Sequence, residues 1–250
     1  MRSSGLRRCR KRFKLRRLIP TFLILSAAIV TLSHFSYPFP WRYPVRGIDI
    51  SRHQGTINWK KLRASGKVDF VYIKATEGCD YIDPLYRENW RAAKKSGIVR
   101  GAYHFYSLYT PGVPQAEHFL RTVKFERENL SLAVDLEFEP GNKRPPEKKR
   151  FLAELAAFDK KVTMMRGYSP VYYLNEDFYR YYFVDRPVKN RLWIRGIYHK
   201  PAIMKKTGWI FWQYCDFGRV EGVGERVDLD VFNGSRREFV RLFDAGNGAK

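Results

Sequence analysis

Asp135, Glu137 and Glu139 stand at alternate positions in LAVDLEFEPG, residues 132–141. The stretch opens with Leu132, Ala133 and Val134, as a buried strand does, and Leu136 and Phe138 fill the places between the acids. Side chains two apart on a strand share a face, so three carboxylates crowd one side. Like charges that close raise one another's pKa. Two readings stand: an edge strand with a wet acidic face, or a carboxyl pair for general acid–base chemistry where a barrel strand ends.

The elements around that stretch decide between them. VRGIDIS (45–51), VDFVYIKATEG (68–78), VRGAYHFYS (99–107), SLAVDLEF (131–138), SPVYYLN (169–175), RLWIRGI (191–197), GWIFWQYC (208–215) and VDLDVFNG (227–234) read as strands. Helices are expected over residues 57–66, 83–97, 113–123, 145–167 and 176–183. The second would start with Asp83 as N-cap and Pro84 in its first turn, a common opening. The fourth carries Phe151, Leu152, Leu155, Phe158 and Val162 on one stripe. After these the helices stop. Repeated strand–helix units imply a parallel sheet, and eight strands imply a closed barrel, irregular where the last third lacks helices.

Chemistry on such a barrel sits at the C-terminal ends of the strands. There the sequence places Asp49, Glu77, Tyr103 with His104, Asp135 with Glu137, the trio Trp212, Gln213 and Tyr214, and Asp228 with Asp230. Acids from four strands converge, which a wet edge does not explain. A carboxylate-rich cleft walled by aromatics is the equipment for glycoside hydrolysis. His104 reads as a packing histidine, and Glu139 as a solvated acid.

Net charge is +22 over 250 residues, and nine Lys or Arg with no acid fall in residues 1–17. The remainder still carries +13 (22 − 9), scattered among aromatics and acids without an RNA-binding or helix-turn-helix signature, so no nucleic-acid partner is expected. No charged residue occurs from Leu18 to Trp41. As a helix, residues 18–35 would span roughly 27 Å, close to a bilayer core. The expected order is a basic cytoplasmic flank (1–17), a transmembrane signal anchor (18–35), a Pro- and aromatic-rich tether (36–44) and a barrel domain (45–245) outside, periplasmic or at the cell surface. A cleaved signal peptide that releases a secreted domain is the alternative. Cys9 lies in the flank; Cys79 and Cys215 lie in the exported part, where a disulfide is allowed, although their strands are not neighbours. No C-x-x-C or H-x-x-x-H spacing suggests a metal, and no cofactor is expected.

GIDISRHQGTINW, DFVYIKATEGCDYIDPLYRENWRAAKKSGIVRGAYHF, AVDLEFEPG, PVYYLNEDF, LWI, FWQY and VDLDVFNG follow in this order. Together they resemble the glycoside hydrolase family 25 muramidases, the Chalaropsis-type lysozymes, over about residues 45–235. The resemblance implies an irregular TIM-like (β/α)5(β)3 barrel. It also implies cleavage of the β-1,4 bond between N-acetylmuramic acid and N-acetylglucosamine in peptidoglycan. The family's G-x-D-x-S acid matches Asp49, its A-T-E-G acid Glu77, its D-x-E pair Asp135 and Glu137, and its closing V-D acid Asp228. Glu137 matches the family's general acid. Arg195 and Gly196 follow the L-W-I motif, with Tyr198 later, where relatives often carry a small residue and then an aromatic.

The expected catalytic residues are Glu137, Asp135, Asp49 and Asp228. Asp135 would orient the substrate's 2-acetamido group or stabilise the charged intermediate, which favours retention. Asp49 and Asp228 would set charge or orient Asp135, or one would only cap a loop. Glu77 would bond sugar hydroxyls, or pair with Lys74 or an Arg. Tyr103, Tyr172, Trp193, Trp212 and Tyr214, with Gln213, are candidate substrate-binding residues, since aromatic faces stack on sugars; each could equally be core. A catalytically silent, membrane-tethered glycan-binding scaffold is the rival reading, and no family acid is missing to favour it.

Overall fold

The computed structural model describes residues 42–244, apart from 125, 127, 128, 140, 142, 143, 187 and 198. The expected basic flank, the apolar run 18–35 and all of the tether but its last three residues lie outside the described residues, as do Cys9 and Tyr198.

Nine strands form one sheet: β1 (Arg46–Ile50), β2 (Phe70–Glu77), β3 (Tyr81–Ile82), β4 (Val99–Phe105), β5 (Ala133–Leu136), β6 (Val171–Asn175), β7 (Leu192–Arg195), β8 (Trp209–Gly218) and β9 (Val227–Phe232). Eight of them close a barrel in the order β1, β2, β4, β5, β6, β7, β8, β9 and back to β1. The two-residue β3, not anticipated, only folds back on the end of β2. Helices α1 (Trp59–Ala64), α2 (Tyr86–Lys95), α3 (Gly112–Thr122), α4 (Lys148–Arg166) and α5 (Glu176–Tyr182) follow the first five barrel strands in turn. The last three strands are joined without an α-helix. This is the (β/α)5(β)3 arrangement.

Three expectations are corrected. The ladders from β1 through β8 are parallel, but β9 runs antiparallel to both neighbours, so its beginning faces the ends of the other strands. Helices do not stop after α5: α6 (Arg236–Asp244) closes the described chain. Asp83 does not cap α2, whose N-cap position is Leu85. It is buried instead, accepting from the backbone N–H of Leu85 and of Arg52, each at 2.9 Å. It thereby ties the loop after β1 to the loop after β2.

Alternation along the strands sorts side chains into two apolar layers. Phe70, Tyr72, Tyr103, Tyr173, Trp193, Phe211 and Phe232 fill the lumen. Val71, Ile73, Val134, Leu136, Leu174 and Ile194 face the helices. The rings pack across the barrel, Tyr72 stacking on Trp193 at 4.7 Å and Phe70 meeting Phe211 at 5.0 Å. Room for them comes from Gly47 and Gly101, the register partners of Phe70 and Tyr72. A Cβ at either glycine would lie 2.3 Å from the facing ring. Phe239 of α6 packs on Phe70 and Phe232 and shuts the lumen on the side away from the strand ends. Cys79 and Cys215 are both free.

Asp159 of α4 accepts from the Tyr172 hydroxyl and, at 3.0 Å, from the Asn190 amide. Burial pushes its pKa up to about 6, against the pull of these two donors. The folded pKa exceeds the unfolded value, so this group's stabilising contribution is full below about pH 4 and fades as pH rises through 6. The cost at pH 8 is roughly 3 kcal/mol. Thermal melts should therefore show the Tm of Asp159→Asn, relative to wild type, rising by several degrees between pH 4 and pH 8. A difference that stays flat with pH would show that this carboxyl is not the strained one.

Candidate active site

Where the strands end, a cavity of about 200 Å³ opens between carboxylates and rings. β1 supplies Asp49, β2 Lys74, β4 Tyr103, β5 Asp135, β6 Tyr173, β7 Trp193, β8 Gln213 and β9 Asp228, so all eight barrel strands place a side chain on its wall. Glu137 joins them from the first residue beyond β5. Asp228 belongs to the start of β9, not its end, and is the cross-strand partner of Asp49. The antiparallel last strand thus delivers its acid to the same face by the opposite route.

Beneath the opening the acids are wired to donors. Gln213 donates its amide to Asp49 Oδ2 at 2.8 Å and accepts from the Tyr173 hydroxyl at 2.9 Å. Trp193 donates its indole N–H to Asp230 Oδ1 at 2.7 Å. Asp230 is fully buried, and its second oxygen meets no N–H or hydroxyl donor among the described residues. It faces the carboxyl of Asp49, which also bonds that of Asp228. Two carboxyls bond only when one carries a proton. Burial first, then the charge of Asp49, pushes Asp228 up to about 9. Burial first, then Asp230, raises Asp49 well above the usual carboxylate range.

Asp135 and Glu137 form the second acid group. Burial is the main cause of the rise in both. Asp135 is raised further by Glu137 and Asp49 and pulled back by the Lys74 ammonium; Glu137 is pulled back by the Arg195 guanidinium. The pair titrates as a unit and keeps a shared proton above the ordinary carboxylate range.

The third acid of the opening stretch leaves the group. β5 ends at Leu136, so strand alternation no longer aims Glu139. Glu139 accepts from the Ser107 hydroxyl at 3.0 Å and the Leu108 N–H at 2.9 Å, tying two loops. It is a loop tie rather than the solvated acid expected. Glu77 lies off the cavity wall and holds the Lys74 ammonium at 2.7 Å, the pairing considered for it. Lys74 itself lines the cavity, over the Phe105 ring. His104 is neutral packing, as expected. Burial takes its pKa down to about 3, and its Nδ1 lies 2.8 Å from the Thr76 hydroxyl.

Of the aromatic candidates, Tyr103 and Trp193 reach the cavity. Tyr172, Trp212 and Tyr214 do not, because they sit one residue out of phase. Tyr172 bonds Asp159 on α4. Trp212 donates to the Gly196 carbonyl at 2.9 Å and packs with Tyr43 and Tyr214 in the outer layer. Tyr173 takes the place expected of Tyr172. Ser51, His53, Lys74, Phe105 and Tyr173 are the wall residues that sequence reasoning missed.

The comparisons with known proteins agree with this geometry. The family model described as Glycosyl hydrolases family 25 matches residues 48–223. Lysozyme M1 of Streptomyces globisporus is 31% identical, covering 79% of this chain and 71% of its own. An uncharacterized Escherichia coli protein, YegX, is 34% identical over 84% of this chain and 77% of its own. A family 25 glycosyl hydrolase from Bacillus anthracis superposes with a TM-score of 0.77 at 32% identity, covering 83% of this chain and 96% of that one.

The proton count of the acid cluster is measurable. The infrared spectrum at pH 7 should contain a carboxylic-acid C=O band that disappears on titration through about pH 9 and is absent from Asp228→Asn. A spectrum with only ionised carboxylates at pH 7 would contradict the proton assigned to Asp228.

Proposed function

The chain belongs to the glycosyl hydrolases of family 25 and is a peptidoglycan hydrolase with muramidase activity, and we propose that Glu137 is its general acid with Asp135 as anionic partner. One observation carries the assignment. These two carboxyls line one buried cavity, and burial raises both above the ordinary carboxylate range, as a group that must hand a proton to a leaving oxygen requires. Glu137, on the longer side chain and past the strand end, reaches toward the glycosidic oxygen. Asp135 lies deeper, and the Lys74 ammonium favours its anionic form. As positive charge develops on the sugar, that preference grows and the shared proton is left on Glu137 for the leaving group. Asp135 then steadies the 2-acetamido group of N-acetylmuramic acid as its oxygen closes on the anomeric carbon and the leaving oxygen departs with the proton of Glu137. Water, giving its proton to Glu137, then breaks that bond from the opposite face, and two displacements leave the configuration retained. Asp49 and Asp228, holding protons between them, donate hydrogen bonds in the same cavity without adding full charges. Tyr103 and Trp193 wall the sugar site.

Glu137→Gln keeps shape and loses the proton. General acid catalysis is worth roughly 10²–10⁴ in rate, so reducing-end release from peptidoglycan should fall by at least about a hundredfold, and by a similar factor for Asp135→Asn. Circular dichroism should be unchanged for both. A Glu137→Gln enzyme that keeps more than about a tenth of the wild-type rate, well above what loss of the general acid allows, would move the role to another residue.

We also propose that residues 18–35 anchor the protein in a membrane with the barrel outside. The support is the charge-free run directly behind nine basic residues; among the described residues, no helix is long and apolar enough to cross a membrane. A reporter fused after Lys250 should be active only outside the cytoplasm. A mature N-terminus near His34 would replace the anchor with a cleaved signal.

A further inference from the structure

Beside the acid cavity lies a larger one of about 620 Å³. It is bounded by the end of β6, the first turns of α5, the loop after β7 and Asp216 of β8. Its walls are pinned. Glu176 accepts from the Ala202 N–H at 2.9 Å, and the Gly196 carbonyl accepts from the Trp212 indole. A Cβ at Gly196 would lie 2.3 Å from the Pro201 ring, so the loop is folded tightly on itself.

The lining is unlike that of the acid cavity. Glu176, Asp177, Arg180, Arg195 and Asp216 put both signs of charge on it, and its described residues include no Phe, Tyr or Trp. Sugar rings are held by aromatic faces, whereas guanidinium groups suit carboxylates and carboxylates suit amines. Arg195 joins the two cavities: it bonds Asp216 at 3.0 Å, and its charge acts on Glu137. A strand seated at Glu137 therefore has an ionic chamber at its side. In peptidoglycan the ionised groups next to the scissile bond belong to the peptide that each muramic acid carries on its lactyl ether. That peptide bears free carboxylates and, where it is not cross-linked, a free amine.

We propose that this chamber is a subsite for the peptide stem, with Arg180 and Arg195 facing its carboxylates and Asp177 and Asp216 its amine. The proposal rests on the reading of the acid cavity as the muramidase centre.

The test compares kcat/KM of the full-length enzyme on soluble glycan strands that carry uncross-linked stems and on the same strands stripped of peptide. Wild type should prefer the peptide-bearing strand by about tenfold, the value of one charge-assisted contact. The double variant Arg180→Gln/Asp177→Asn, with matched circular dichroism, should lose most of that ratio. Acetylating the stem amines should lower the ratio for wild type as well, a readout independent of how the variant folds. A wild-type ratio near one, or a ratio that neither change moves, overturns the subsite. Equal losses by the double variant on both strands make the chamber a sugar subsite and overturn it too. An enzyme inactive on both strands overturns the muramidase reading itself, and the subsite with it.

Discussion

Five carboxyl groups, Asp49, Asp135, Glu137, Asp228 and Asp230, are held together at a barrel mouth where water is scarce. An isolated buried carboxylate costs several kcal/mol after relaxation, so these groups hold protons and share them. Their surroundings serve that condition. Trp193, Gln213 and Tyr173 present donors at fixed points, and Lys74 brings one cation to Asp135. The aromatic lumen beneath keeps water from dissolving the arrangement, and Gly47 and Gly101 make that lumen possible. The acids that would tear a less constrained site apart are thereby held with pKa values above the ordinary carboxylate range. The Arg195–Asp216 pair is the point where this cluster meets the outer surface.

Much of this arrangement was legible in the sequence. Strand number and the βα repeat follow from hydrophobic patterning, and Asp49, Asp135, Glu137 and Asp228 stand at strand ends because short barrel strands leave few other positions. What was not legible has physical causes. In VYYLN and FWQY, neighbouring aromatic residues occupy both faces of a strand, so composition cannot say which ring points inward. Only the register does, pairing Asp135 with Tyr173 and Arg195 with Gln213. Strand direction is likewise silent in a buried strand. VDLDVFNG reads the same whichever way β9 runs, and only the ladders to β1 and β8 show it reversed. Asp83 before Pro84 has the composition of a helix cap, yet the helix starts two residues later, and the Asp83 carboxyl is shared between the Leu85 N–H and the distant Arg52 N–H. Lys74 was visible only as a possible mate for Glu77, because a cation inside an alternating apolar strand carries no mark of what it faces.

The loop after β7 shows how a family's chemistry and a chain's own features divide. The acids that perform the reaction sit on strands, where backbone hydrogen bonds fix them. The residues that depart from the family's usual pattern, Arg195 and Gly196, sit at the edge of that scaffold, where a change of side chain alters what borders the cleft without moving its floor. Such a loop suits variation in substrate preference.

The reversed last strand has a geometric consequence for how the enzyme is presented. β1 enters the barrel on the face away from the cleft, and β9, running backward, leaves on that same face, where Phe239 of α6 then seals it. Both ends of the described chain are therefore gathered on one side and the opening on the other. A barrel fixed to a bead or electrode through either end of the described chain would show its cleft outward, and long glycan strands could thread across it without meeting the point of attachment.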